Sequence, residues 1–186
     1  MSDETVLPLP VALLLVDLQP AFLDAIPGGV DALRRAEFAA RVAPLLGISV
    51  AITEQVPEKL GTTAPSLLEA APGAPVFAKT AFSALGAEGI LDWLRERNVQ
   101  HILIAGVEST ICVYQTAVQA MAESLDVTIL TDAVAERRNG DREPALATLR
   151  NAGAHILPSE TIFYSLLGDA THPQFREFTK LVKAFG

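Results

Sequence analysis

Three side chains with complementary chemistry stand at the ends of apolar segments in this chain. Asp17 closes the run beginning at Val11, Lys79 closes the short run beginning at Pro75, and Cys112 lies just past the run His101 to Val107. A cysteine nucleophile needs a group to accept its proton and a cation to keep that group ionised. Asp17 can be the acceptor and Lys79 the cation. Around Cys112 the segment Gly106-Val107-Glu108-Ser109-Thr110-Ile111-Cys112 brings a strand through a tight turn into a helix. A thiol in a first helical turn feels the positive end of the helix dipole, which is expected to lower its pKa and favour the thiolate. Free backbone N–H groups at such a turn can hold an oxyanion.

Each residue taken alone has a plainer reading. A lone cysteine beside an apolar helix packs as a small hydrophobe. A strand-end aspartate commonly caps a turn, and a strand-end lysine can simply be solvated. What favours the chemical reading is that all three end strands on the same side of one sheet, where ligands bind in open α/β folds.

Other constellations are absent from the sequence. His101, His155 and His172 are far apart in the chain, without HxH or Hx3H spacing and without an acidic partner nearby, so no metal site is expected. His101 begins its strand and is predicted at the opposite end of the sheet. No GxGxxG follows the first strand and no GxxxxGK[ST] exists, so no nucleotide cofactor is expected. There is no GxSxG elbow for a serine nucleophile. The pair Arg137-Arg138 reads as solvent-facing.

The elements that must position these residues alternate along the chain. VALLLVD, from Val11 to Asp17, is a continuous apolar run of the kind buried on both faces of a parallel sheet. After a break at Pro27-Gly28-Gly29, helical spacing runs from Val30 to Gly47, with Asp31 near its start and Gly47 as a C-cap. Ile48 to Thr53 is a second strand. Glu54 to Pro75 reads as a long loop holding a short helix at Ser66 to Ala70. PVFAKT is a third strand, Ala87 to Asn98 an amphipathic helix, and His101 to Val107 a fourth strand. A helix through STICVYQTAVQAMAES, a strand DVTILTDA, a helix from Arg142 to Ala152, a strand AHIL and two C-terminal helices complete the order. Repeated βαβ units predict a three-layer α-β-α, Rossmann-like doubly wound sheet of about six parallel strands.

Composition narrows the remaining choices. The chain has 186 residues, 50% hydrophobic and 19% charged, which suits one domain spanning 1–186. Its single cysteine excludes an intramolecular disulfide and fits a reducing compartment. A net charge of −8 argues against a nucleic-acid or anionic-membrane partner. The start, MSDETVLPLP, has no signal-peptide character, and Val11–Val16 is too short to span a bilayer. A cytoplasmic protein is the expectation.

With these residues in place, the chain resembles the isochorismatase-like cysteine hydrolase superfamily, which includes nicotinamidases and N-carbamoylsarcosine amidases. The resemblance rests on LLLVDLQPAF with Asp17, FAKTAFSAL with Lys79 and GVESTICVYQTA with Cys112, three motifs in register. ITEQVPEKLGTT and LLGDATHPQF are similar to the isochorismatase-domain-containing subgroup, and the likeness runs from about residue 9 to residue 183. It implies an Asp17–Lys79–Cys112 triad that hydrolyses a small molecule through a thioester. It also implies a non-proline cis peptide at Val107–Glu108 and an oxyanion hole from the N–H groups of Glu108 and Cys112. Phe22 and Phe82 could wall an apolar pocket, and Gln55 could reach a polar group of the substrate; for both phenylalanines the alternative is core packing.

Two departures shape the expected substrate. Nicotinamidases usually carry an Asp-x-His metal site where this chain reads Thr53-Glu54-Gln55, which argues against a pyridine-binding metal. Siderophore-pathway isochorismatases typically lack the nucleophilic cysteine that this chain has. The resemblance therefore points to an amide, imide or ester, and to a homo-oligomer, a dimer or larger, to which a mean hydropathy of +0.33 adds indirect support. The alternative is a catalytically weak or inactive scaffold that interacts through its surface. A thiol sensor is a third reading, with no second cysteine in the chain to resolve a sulfenate.

Overall fold

The computed structural model describes residues 10–138 and 140–186. The reading of the acidic start, through Leu9, lies outside the described residues. Six strands, β1 (Val11–Val16), β2 (Ser49–Gln55), β3 (Val76–Lys79), β4 (His101–Val107), β5 (Asp126–Ala135) and β6 (His155–Leu157), form one sheet in the order β3-β2-β1-β4-β5-β6. Every neighbouring pair is parallel. The helices are α1 (Pro20–Leu23), α2 (Gly29–Val42), α3 (Pro57–Leu60), α4 (Pro65–Ala70), α5 (Ile90–Glu96), α6 (Cys112–Ala122), α7 (Arg142–Asn151), α8 (Ser159–Leu167) and α9 (Phe175–Phe185).

The two central strands are apolar because both of their faces are covered. Leu13 and Leu15 of β1 pack with Phe38 of α2, Phe163 of α8 and Phe178 of α9. The alternate residues Ala12, Leu14 and Val16 pack on the other face with Trp93 of α5, Val113 and Ala117 of α6, and Leu149 of α7. Each fully buried leucine contributes ~1.5–3 kcal/mol relative to exposure. On the first face Phe38 meets the rings of Phe163 and Phe185 at centroid distances of 5.8 and 5.9 Å. Arg35 of α2 ties that layer to the sheet through Asp132 of β5 at 2.9 Å, and reaches α8 through the Ser159 hydroxyl at 2.9 Å.

Strand order reverses between β1 and β4. Their carboxyl ends diverge into connections on opposite faces, leaving a crevice at that edge. Gly106 is what lets β4 lie tightly against β1 there. Its φ is +131°, and a Cβ built on it would stand 2.0 Å from the Val16 carbonyl oxygen.

Some local expectations differ from the structure. The helix after the first break ends at Val42 and continues as a 3-10 turn, Ala43–Leu46, before Gly47 at φ 70°. The four-residue helix α3 falls within the stretch expected to be a loop, and α1 fills a stretch for which no element is expected; each opens with a proline at its first turn. The helix bearing Cys112 begins at that residue, not three residues earlier.

Candidate active site

The carboxyl ends of β1, β2, β3 and β4 bring Asp17, Gln55, Lys79 and Cys112 to one edge of the sheet. Asp17 follows β1 with φ 55°, a left-handed conformation that aspartate tolerates better than most residues. Both of its carboxylate oxygens are engaged. Oδ1 accepts from the Thr53 hydroxyl at 2.8 Å and Oδ2 accepts from Lys79 Nζ at 2.6 Å. The Asp17 and Lys79 side chains are wholly buried, each at 0% exposure. An ion pair at such depth is poorly screened, and each charge depends on the other.

Lys79 Nζ faces three further acceptors: Gln55 Oε1 at 2.5 Å and the carbonyls of Ala81 and Phe82 at 3.2 and 3.1 Å. An ammonium has three hydrogens to give, so these groups saturate it. Gln55 is thus turned toward Lys79, and its Nε2 donates to the Thr80 carbonyl at 3.0 Å.

Cys112 opens α6 and is itself buried, close to Asp17. Burial, reinforced by the Asp17 charge and opposed by Lys79, pushes its thiol up to about 12. This corrects the expectation of a depressed thiol pKa, because removing the group from water outweighs the helix terminus. Burial likewise raises the pKa of Asp17, with Lys79 and the bonds to its carboxylate pulling the other way. Burial thus favours the protonated thiol, beside an Asp17 carboxylate held by Lys79 at 2.6 Å. Thr116 fixes the cysteine turn: its hydroxyl donates to the Cys112 carbonyl at 2.6 Å and accepts from the Ala84 N–H at 2.8 Å.

The peptide bond between Val107 and Glu108 is cis. The Glu108 N–H faces the Cys112 sulfur, where it favours the thiolate. Cys112 is the first residue of α6, so its own N–H belongs to the unpaired set that opens any helix. The Glu108 side chain points away to Arg137, whose Nε lies 2.8 Å from Oε1. Ser109 is held by Glu136, which accepts from its hydroxyl at 2.7 Å. A groove of about 320 Å³ beside this turn is lined by Glu108, Thr110, Ile111, Arg137, Arg138 and Asp141. Both arginines are exposed as expected, but Arg137 is committed to Glu108.

The two phenylalanines part company. The Phe22 ring packs half-buried against the core on the α2 face. Phe82 is 55% exposed and contributes its carbonyl to Lys79. Residues that the sequence reading missed are Gln19, Thr53, Glu54 and Thr116. Gln19 accepts from the Gln55 N–H at 2.7 Å and donates to the Gln55 carbonyl at 3.1 Å. Glu54 accepts from the Thr63 N–H and hydroxyl at 2.7 and 2.8 Å, pinning the loop that follows α3.

The histidines also need a correction. His101 and His155, separated in sequence, are neighbours at the amino-terminal edge of the sheet with ring centroids 5.8 Å apart, and the charge of Asp126 acts on His101. Among the described residues no group of three or more His, Cys, Asp or Glu side chains converges to hold a metal ion. No described helix is long and apolar enough to cross a membrane.

Residues 11–161 match the isochorismatase domain. Isochorismatase domain-containing protein 2 of Bos taurus is 41% identical over 144 residues, covering 77% of this chain and 69% of that protein. The structure described as MAR1 ribonuclease from Caenorhabditis elegans superposes with a TM-score of 0.89 at 34% identity, covering 95% of this chain and 91% of that one. The YcaC gene product of Escherichia coli, described as an octameric hydrolase of unknown specificity, shares the fold with a TM-score of 0.81 at 22% identity over 95% of each chain. The chain belongs to the isochorismatase family and has the α/β fold of its hydrolases.

Proposed function

We propose that this chain is a cysteine-nucleophile hydrolase of a small amide, imide or ester. The reading is carried by one observation: a buried thiol beside a buried carboxylate whose second oxygen is held by a buried ammonium. As Cys112 Sγ attacks the carbonyl carbon, its proton passes to Asp17. The carbonyl electron pair moves onto oxygen, where the N–H groups of Glu108 and Cys112 stabilise it. Collapse expels the amine, or alcohol for an ester, with the proton returned by Asp17, and leaves a thioester on Cys112. Water then adds to the thioester as Asp17 takes a proton from it, releasing the acid and restoring the thiol. Lys79 stabilises the Asp17 charge through this cycle and does not itself bind substrate, because its hydrogens are directed at protein acceptors.

An RNA substrate, the kind named for the nematode relative, is poorly served here. The chain carries a net charge of −8, and the cation nearest the thiol is turned inward. Assembly into a homo-oligomer is part of this reading, supported by the Escherichia coli YcaC product, which shares the fold and is described as octameric.

The test is a panel of small amides, imides and esters incubated with the wild type and with Cys112→Ala. Release of ammonia, amine or alcohol by the wild type is expected, with a loss of about a thousandfold or more in the variant. Release that survives the substitution refutes the proposal.

A further inference from the structure

The Lys79 ammonium has a neutral side-chain partner that the chemistry described above does not use. We infer that Gln55 is a positioning residue, a fixed neutral acceptor that aims the Lys79 ammonium at Asp17 without competing for its charge. The inference rests on the proposed triad and adds a residue to it.

Gln55 and Lys79 are directly opposed in the β2–β3 register. The Gln55 side chain is therefore placed by the sheet itself. Its backbone is clamped on both sides by one side chain, since Gln19 accepts from its N–H and donates to its carbonyl. The orientation of the carboxamide follows from its two partners. Thr80 presents a carbonyl and Lys79 presents N–H groups, so Nε2 must face the first and Oε1 the second. Reversal would set donor against donor and acceptor against acceptor. The side chain is buried at 7% exposure, leaving its oxygen little else to meet.

The residue type matters for its charge. Asp17 and the Ala81 and Phe82 carbonyls are the other acceptors at Nζ. Among these four, Asp17 alone is charged, so the ammonium is held in place by neutral dipoles and spends its charge on Asp17. A glutamate at position 55 would divide that charge between two carboxylates, and one of the two would take up a proton. The remaining ionisable groups nearby are Cys112 on α6, Glu54, which is turned to Thr63, and Glu58 and Glu88, which border a surface groove beside the Lys79 strand end.

The experiment is the rate of Cys112 alkylation by iodoacetamide against pH, followed by intact mass, in wild type, Gln55→Glu and Lys79→Met. The acid limb of that profile reports the coupled Asp17–Cys112 proton. The inference predicts that its midpoint moves alkaline by about one unit or more in both variants. If Lys79→Met moves the midpoint and Gln55→Glu leaves it in place, the role of Gln55 is overturned and the triad stands. If neither moves it, the triad reading fails and this inference with it. Should Gln55→Glu not fold, Gln55→Met removes the acceptor without adding charge. Alkylation about tenfold slower at neutral pH is then expected, and an unchanged rate overturns the inference. A merely structural role would lower thermal stability and leave both readouts alone.

Discussion

Replacing Lys79 by methionine keeps most of the stem volume and deletes the charge. What remains is a carboxylate at 0% exposure that has lost a cation 2.6 Å away and retains the Thr53 hydroxyl at 2.8 Å. Removing one member of a buried pair typically costs ~3–5 kcal/mol because the other charge is stranded. Asp17 has an escape, since its pKa is already raised by burial and rises further without Lys79. In the variant the folded state therefore holds a proton that the unfolded state, titrating near the ordinary value of about 4, has released. Stability must then fall as pH rises between those two pKa values, by up to ~1.4 kcal/mol per pH unit. The deficit relative to wild type should be ~3–5 kcal/mol at pH 7 and should shrink to the ~1–2 kcal/mol of lost neutral contacts near pH 4.5. Equilibrium urea unfolding at the two pH values measures it. Adding Asp17→Asn removes the stranded charge and should recover stability at pH 7. A deficit of equal size at both pH values, not relieved by Asp17→Asn, would show that the pair is not coupled as the geometry requires.

Two further predictions concern the scaffold. His101 is fully buried, and burial lowers its pKa to about 4, with Asp126 opposing and His155 adding to the effect. Because the unfolded chain takes up this proton first, stability is fully present above pH 6.5 and declines by ~3 kcal/mol as pH falls toward 4; thermal unfolding of His101→Gln should show a flatter profile over that window, and an unchanged slope refutes the assignment. Gly106→Ala would place a methyl carbon 2.0 Å from the Val16 carbonyl oxygen at φ +131°. A loss of ~4 kcal/mol or more is expected by chemical denaturation, and a loss under ~1 kcal/mol would mean that β1 and β4 can separate without cost.

The layered fold was legible because its signals are local. Val11–Val16 and Ile102–Val107 are unbroken apolar runs, and the central strands that hold them are buried along their whole length. The positions of Asp17, Lys79 and Cys112 at one edge followed from the direction of parallel strands. Helices α1 and α3 are not legible in the sequence because four residues carry no periodicity. The partners of the site were hidden for a different reason. Gln19 reaches Gln55, and Thr53 reaches Asp17, across separations of 36 residues set by strand register. The thiol pKa was misjudged in sign because a helix terminus is visible in sequence, whereas the depth at which it is buried is a property of the packed molecule. His101 and His155 meet for the same reason, through the offset between β4, β5 and β6.

The central claim is that Asp17 takes the Cys112 proton as sulfur attacks a carbonyl. The most direct test uses an activated ester, p-nitrophenyl acetate, with rapid mixing and intact-mass analysis of wild type, Asp17→Asn and Cys112→Ala. The account predicts a burst of one nitrophenolate per site, an acetyl group on Cys112, a slowing of about a hundredfold or more in Asp17→Asn and no adduct in Cys112→Ala. Acetylation of another residue, or of Cys112 at the same rate without the Asp17 carboxylate, would contradict it.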